Sequence, residues 1–285
     1  MRIKLSVVLS AVLIWSCVWG VSVSAESVKV NADTDESLPE LWFPVGEKIT
    51  YKIYWGVISV GVSVLSTEWI EEDGRKLIYI KLRSMDNKFL SKIYPVDDVI
   101  ESVVDPETFM PIRFTKQLNE GTYHCDETTT FDHQKMEAHW ESAMNGNKKT
   151  YKIDKDTRDI LSFMYHMRKD EIKTGDTNTY RVATDEKVFD VEVESLKEEK
   201  VKTKEYGKIK CLKIEPKADF DGVAVHSGRS WMWISRDKRR LCVQVAAEVP
   251  VAKVKLRLFK VEGPGDDFWV KKKSSYDAKK NAFYK

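Results

Sequence analysis

A period of two runs through most of this chain, and it constrains the fold more than any other feature. Apolar residues recur at every second position in Ile49, Tyr51, Ile53 and Trp55, in Val60, Val62 and Val64, and in Ile78, Ile80 and Leu82. The alternation returns in Met136, Ala138 and Trp140, in Phe189, Val191 and Val193, in Leu241, Val243 and Val245, and in Val254, Leu256 and Leu258. Successive side chains of a strand point to opposite sides, so each set marks one buried face. Glu72-Asp73-Gly74 and Asn145-Gly146 lie between such runs and supply the residues of hairpin turns. Polar residues at the alternate positions leave the second face wet, which suits antiparallel strands. The expected fold class is all-β and mainly antiparallel, as a curved sheet, a half-open barrel or a sandwich.

One segment breaks the period. After Asp156, which has the side chain of a helix cap, Ile160, Leu161, Met164, Tyr165, Met167 and Arg168 fall at helical spacing through about Lys169. A single amphipathic helix is therefore expected to cover the concave face of the sheet. Its Met-rich stripe fits ordinary core packing, and it equally fits a lid over a cavity.

The ends of the chain read differently from its middle. Arg2 and Lys4 precede an uncharged apolar run from Leu5 to Trp19, and Val23-Ser24-Ala25 places small residues before a cleavage point, so residues 1–25 are expected to be a signal peptide. An uncleaved anchor and lipid attachment at Cys17 are the other readings of that run. Residues 26–40 are polar and acidic, as in a flexible leader; a single β-rich domain is expected over 41–261; residues 262–285 form a Lys-rich tail. The chain is thus expected to be exported to the periplasm or cell envelope. Removing Arg2 and Lys4 with the leader takes the formal net charge from +2 to zero. A balanced surface argues against nucleic acid as a partner. Lys271, Lys272, Lys273, Lys279 and Lys280 suit a solvated end, or a weak contact with a membrane surface.

The residues also resemble a known family. Phe43-Pro44-Val45-Gly46-Glu47-Lys48-Ile49-Thr50-Tyr51, followed by Trp55-Gly56 and Val60-Gly61, resembles the opening motif of domain of unknown function 3108. Asp105-Pro106-Glu107-Thr108 with Pro111 and Phe114, then Asp159, Leu161-Ser162, Tyr165 and Arg168, then Trp233-Ile234-Ser235 with Asp237 and Arg239-Arg240-Leu241, continue the likeness in order over roughly 41–261. Cys242 stands where that pattern has Pro, and Arg236 where it has an acidic or small residue. The resemblance implies an exported bacterial β-rich protein and carries no catalytic residues with it. The expected architecture is also similar to that of the LolA-like carriers, a half-open barrel with a helical lid, by fold analogy alone.

Catalytic signatures are lacking in the sequence. It contains no Gly-x-Ser-x-Gly, His-Glu-x-x-His, phosphate-binding Gly loop or Cys-x-x-Cys, so neither an enzyme, a cofactor nor a metal is expected. Asp159, Ser162 and His166 share one side of the helix and could be drawn as acid, nucleophile and base, but neighbours on a helix supply no oxyanion hole. The polar side of an amphipathic helix accounts for them. His124, His133, His139 and His226 show no ligand spacing.

Two further expectations concern the interior. Tyr51, Ile53, Trp55 and Trp233 on strands, with Ile160, Leu161, Met164 and Met167 on the helix, are the candidate lining of an apolar ligand cavity. Cys211 and Cys242 form a disulfide if their strands are neighbours, leaving Cys125 free. The chain is accordingly read as an exported protein binding or carrying an apolar or lipid-like ligand, or else as a non-enzymatic structural or assembly partner of other envelope proteins. A cavity under residues 159–168 separates these alternatives.

Overall fold

The computed structural model describes residues 38–87, 90–92, 94–220, 223–224, 229–249 and 252–264. The expected signal peptide, the leader up to residue 37, the tail lysines and His226 lie outside the described residues. Eight strands form a meander in which each pairs antiparallel with the next: β1 (Lys48–Trp55), β2 (Ile58–Glu72), β3 (Arg75–Asp86), β4 (Asp97–Val104), β5 (Pro111–Glu120), β6 (Tyr123–Asp132), β7 (Glu137–Ser142) and β8 (Lys148–Lys152). A short β9 (Arg158–Asp159) leads into helix α1 (Ile160–His166). The second half follows as β10 (Thr177–Thr184), β11 (Lys187–Thr203), β12 (Gly207–Phe220), the two-residue β13 (Val223–Ala224), β14 (Ser230–Ser235), β15 (Cys242–Val249) and β16 (Ala252–Glu262). β16 returns to pair with β1, so both halves belong to one sheet ordered β8 to β1, then β16, β15, β14, β12, β11, β10 and β9. Among the described residues only the β9–β10 pair is parallel, and no ladder joins β8 to β9, so the sheet curls without closing.

Alternation places the core where the sequence puts it. Ile49, Tyr51 and Ile53, Ile78, Ile80 and Leu82, and Val254, Leu256 and Leu258 are all buried. One set changes phase. A register shift between Ile53 and Tyr54 pairs Lys52 with Val62 and Thr50 with Val64, so those valines face outward and Gly61, Ser63 and Leu65 point in. Gly61 is required there, because a Cβ would stand 2.3 Å from the Met85 carbonyl oxygen. Met136 lies in the turn before β7 at φ 54°, largely exposed, while Ala138 and Trp140 are core.

Helix α1 is shorter and more enclosed than the stripe suggests. Its cap is Asp159, not Asp156: the Asp159 carboxylate accepts from the amides of Leu161 at 2.7 Å and Ser162 at 3.0 Å. Leu161 and Tyr165 pack with Phe43, Ile49 and Tyr51, whereas Phe163 and Met167 pack with Val182, Val193, Leu212 and Met232. Apolar contact on both sides makes α1 a plug between the halves of the sheet.

The expected disulfide is not formed. Cys211, Cys242 and Cys125 are free thiols, all buried. β14 stands between β12 and β15, and since Cys211 pairs with Ser235 while Cys242 pairs with Ile234, the two thiols face opposite sides of the sheet. Burial pushes each of those two thiols up to about 12.

Candidate functional site

The residues that carry the family likeness converge behind α1. Glu47, just before β1, holds Arg168, just after α1, through both guanidinium ends, the Nη2 contact measuring 3.2 Å. Arg168 Nε donates to the Arg239 carbonyl at 3.0 Å, and Arg240 donates back to the carbonyl of Arg168 at 2.9 Å. The guanidinium lies 4.8 Å from the Tyr165 ring and 5.5 Å from Phe43, with the cation over their π faces. Burial alone would push Arg168 down, but the charge and hydrogen bonds of Glu47 raise it above its ordinary value. Tyr51 donates to the Cys242 carbonyl at 2.9 Å, and burial pushes both the Tyr51 and Tyr165 phenols well up. The Asp105 motif serves the same cluster. Its carboxylate ties the β4–β5 turn through Glu107 and Thr108, and the turn sends Phe109, at φ 55°, against Trp42 and Phe43.

Little space is left behind the helix. The gap bounded by Tyr51, Met164, Tyr165, Met167, Met232 and Cys242 is about 20 Å³, room for roughly one water. Of the residues expected to line an apolar cavity, Tyr51, Met164 and Met167 meet at this gap, while Ile53 and Leu161 are filled core. Ile160 packs against both core clusters, and Trp55 is half-buried toward the β1–β2 turn. Trp233 alternates with Met232 and Ile234, which border the gap, and therefore faces away from it. Its indole N–H donates to Glu199, and Lys213 lies over its ring at 5.3 Å.

The helical trio of Asp159, Ser162 and His166 is not an assembled triad, nor is it the polar face of a surface helix. Asp159 and Ser162 are fully buried. Ser162 Oγ donates to Asp159 Oδ2 at 2.8 Å, and Ser102 of β4 donates to the same oxygen at 2.6 Å, so the carboxyl caps α1 and ties it to the meander. Burial raises Asp159, and these hydrogen bonds counter part of the rise. His166 packs edge-on to Trp42 and Tyr180 instead, with its pKa pushed down to about 4 by burial, helped by the charges of Arg158 and Lys169. Among the described residues the other histidines have hydrogen-bond partners: His124 bonds Asn119, His139 bonds Thr150, and His133 donates to the Pro111 carbonyl.

A second buried cation lies between the meander and the β10–β11 turn. Lys116 of β5 sits 2.9 Å from Glu127 of β6 and bonds Asp185 of the turn. Burial opposes its charge, but Asp185, Cys125 and Glu127 together raise it. Burial lifts Asp185 to about 6, with Lys116 pulling the other way. One cation cannot neutralise two carboxylates, so Lys116 keeps its charge and Asp185 holds its proton up to about pH 6.

The larger opening adjoins this gap, where the segment after α1 meets the β14–β15 hairpin. This cleft of about 200 Å³ has an apolar floor of Met167, Ile172, Leu212 and Ile234, with Arg236 and Lys238 on its rim. Arg236 fixes the wall, donating to the Ile172 carbonyl at 2.8 Å and to Glu171 at 2.8 Å, with Glu198 at 2.9 Å from Nε. Lys238 is exposed. Strand periodicity does not reveal this cleft, because its walls come from three separate segments of the chain. The unusual Arg at 236 was its one sequence signal. Among the described residues no group of His, Cys, Asp and Glu is placed to hold a metal, and no helix is long and apolar enough to cross a membrane.

With the geometry in hand, the comparisons with known proteins bear on fold alone. The model of a family described as "Protein of unknown function (DUF3108)" matches residues 50–258. Among solved structures the chain is similar to a β-barrel-like protein of domain of unknown function DUF1849 from Brucella abortus, with a TM-score of 0.52 and 11% identity over 77% of this chain and 98% of that one. Among curated proteins no sequence matches.

Proposed function

The chain belongs to the DUF3108 family of proteins of unknown function, and from that premise of a shared fold without an assigned activity we propose a non-enzymatic docking role in the cell envelope. In this reading the protein is exported and engages another envelope protein through the cleft beside α1; it does not carry a lipid behind the helix. The observation that carries the reading is the filled interior: about 20 Å³ behind α1 has no room for an acyl chain, whereas ligand pockets run to roughly 300 Å³ and more. The external cleft, at about 200 Å³, matches the scale of one anchoring side chain, with an apolar floor and a charged rim as at the centre of a protein interface. The polar groups that could suggest catalysis have structural work, Asp159 and Ser162 as cap and cross-link, Glu47 and Arg168 as a paired unit.

Native mass spectrometry of protein taken from its own envelope tests this. The expected species carries a protein subunit, and amine-reactive cross-links to that subunit start from Lys238 at the cleft rim. A species carrying bound lipid and no subunit overturns the proposal.

A further inference from the structure

The distal half of the β11–β12 hairpin breaks a rule of strand pairing. Lys200 lies directly opposite Lys210, and Lys202 directly opposite Lys208. Partners in register face the same side with Cβ atoms about 5 Å apart, where like charges repel. All four lysines are exposed, and Lys204 in the adjoining turn is exposed as well. Glu198 bonds Lys210 at 2.5 Å and is shared with Arg236, and Glu205 stands in the turn beside Lys204. The opposite face of this ribbon, with Val201, Ile209 and Cys211, is buried in the core, and Tyr206 at its tip accepts from the Val261 amide at 2.7 Å. The lysine face is thereby held rigidly outward.

Protection of a bare strand edge explains scattered charge, but pairs of opposite sign would serve that end without the repulsion. Four like charges on one side of a two-stranded ribbon, in a mature chain of zero net charge, create a local positive field. We infer that this face docks on an anionic phospholipid surface. The array consists of exposed, repeated ammonium groups on one side of the ribbon, so it reads density of charge and not the shape of a peptide. Lysine ammonium groups are hydrated point charges that suit headgroup phosphates without needing a fixed fork geometry. The same face continues through Leu212 to the cleft, so the membrane would lie beside the docking site and not across it. The inference does not depend on the cleft having a partner, since vesicles alone test it.

Co-flotation of the full mature chain with vesicles provides the test. The protein should float with phosphatidylcholine vesicles containing phosphatidylglycerol at low salt, stay behind with phosphatidylcholine alone, and be released at high salt. Lys200→Glu/Lys202→Glu/Lys208→Glu should weaken binding at least about a hundred-fold, at roughly fivefold or more per lysine. Its thermal melt should match the parent, because these side chains are exposed. The Gln triple variant should fall between the two. Reversing Lys271, Lys272 and Lys273 in the tail should leave flotation nearly unchanged. Flotation lost with the tail variant and kept by the hairpin variant overturns the inference. So does equal binding to neutral vesicles, or binding of a single-stranded oligonucleotide without any binding to vesicles.

Discussion

Arg168 and Lys116 are both buried cations, yet Arg168 faces one carboxylate and Lys116 faces two. At the first site Glu47 faces Arg168 with Arg239 close by, and neither guanidinium can lose its proton, so the unit is fixed across ordinary pH. At the second the surplus negative charge is relieved by a proton on a carboxyl, with Asp185 lifted to about 6. The contrast teaches that one curled sheet holds a rigid joint behind α1 and a pH-sensitive one at the β10–β11 turn.

The largest effect should come from breaking the rigid joint. Glu47→Gln leaves Arg168 buried without a counter-charge and should cost about 3–5 kcal/mol in urea unfolding. Because Arg168 cannot neutralise itself, the loss should be the same near pH 5 and near pH 8; a loss that shrinks in acid would erase the distinction between the sites. Lys116→Met leaves Asp185, whose raised carboxyl is able to take up a proton, beside Glu127. It should cost about 3 kcal/mol near pH 8 and clearly less near pH 5, and equal losses at both would contradict the account.

The smallest effect sharpens the comparison through pH alone. Asp185 keeps a proton in the folded protein that the unfolded chain has already lost, so its contribution is full below the ordinary carboxyl range and disappears as pH rises through about 6. Parent stability should therefore fall by about 2 kcal/mol from this group between acid and mildly alkaline pH. Asp185→Asn should flatten that slope in melts taken across the range. A residual slope of the same sign belongs to Asp98, also lifted to about 6 by burial, and should go with Asp98→Asn.

The strands were legible because inward residues alternate, and the turns because Gly74 and Gly146 take left-handed backbone. The likeness to the family marked Glu47, Tyr51, Tyr165 and Arg168, but their meeting depends on α1 lying against β1, and no local pattern encodes that. Asp159 looked like a solvent-facing helix position; its role as cap follows from β9, a two-residue strand too short to read. Val62 and Val64 misled because a bulge shifts the phase, which turns every later side chain to the other face. Lys116 could have been found. It lies between Phe114 and Leu118 at spacing two, in phase with the core, as Glu127 lies between Cys125 and Thr129. A charge in phase with buried neighbours is a sign of an interior ion pair. The cleft and the lysine square both depend on which strands lie side by side, and periodicity alone does not supply that.

The central claim is that the space behind α1 is a packed, charge-paired core too small for a ligand. Titrating the purified mature protein with a fluorescent fatty acid while following tryptophan emission tests it most directly. The account predicts no saturable binding and no stoichiometric quenching, since about 20 Å³ behind α1 does not admit a chain. One-to-one binding with quenching, weakened by Met164→Asp in a variant that still melts cooperatively, would contradict it.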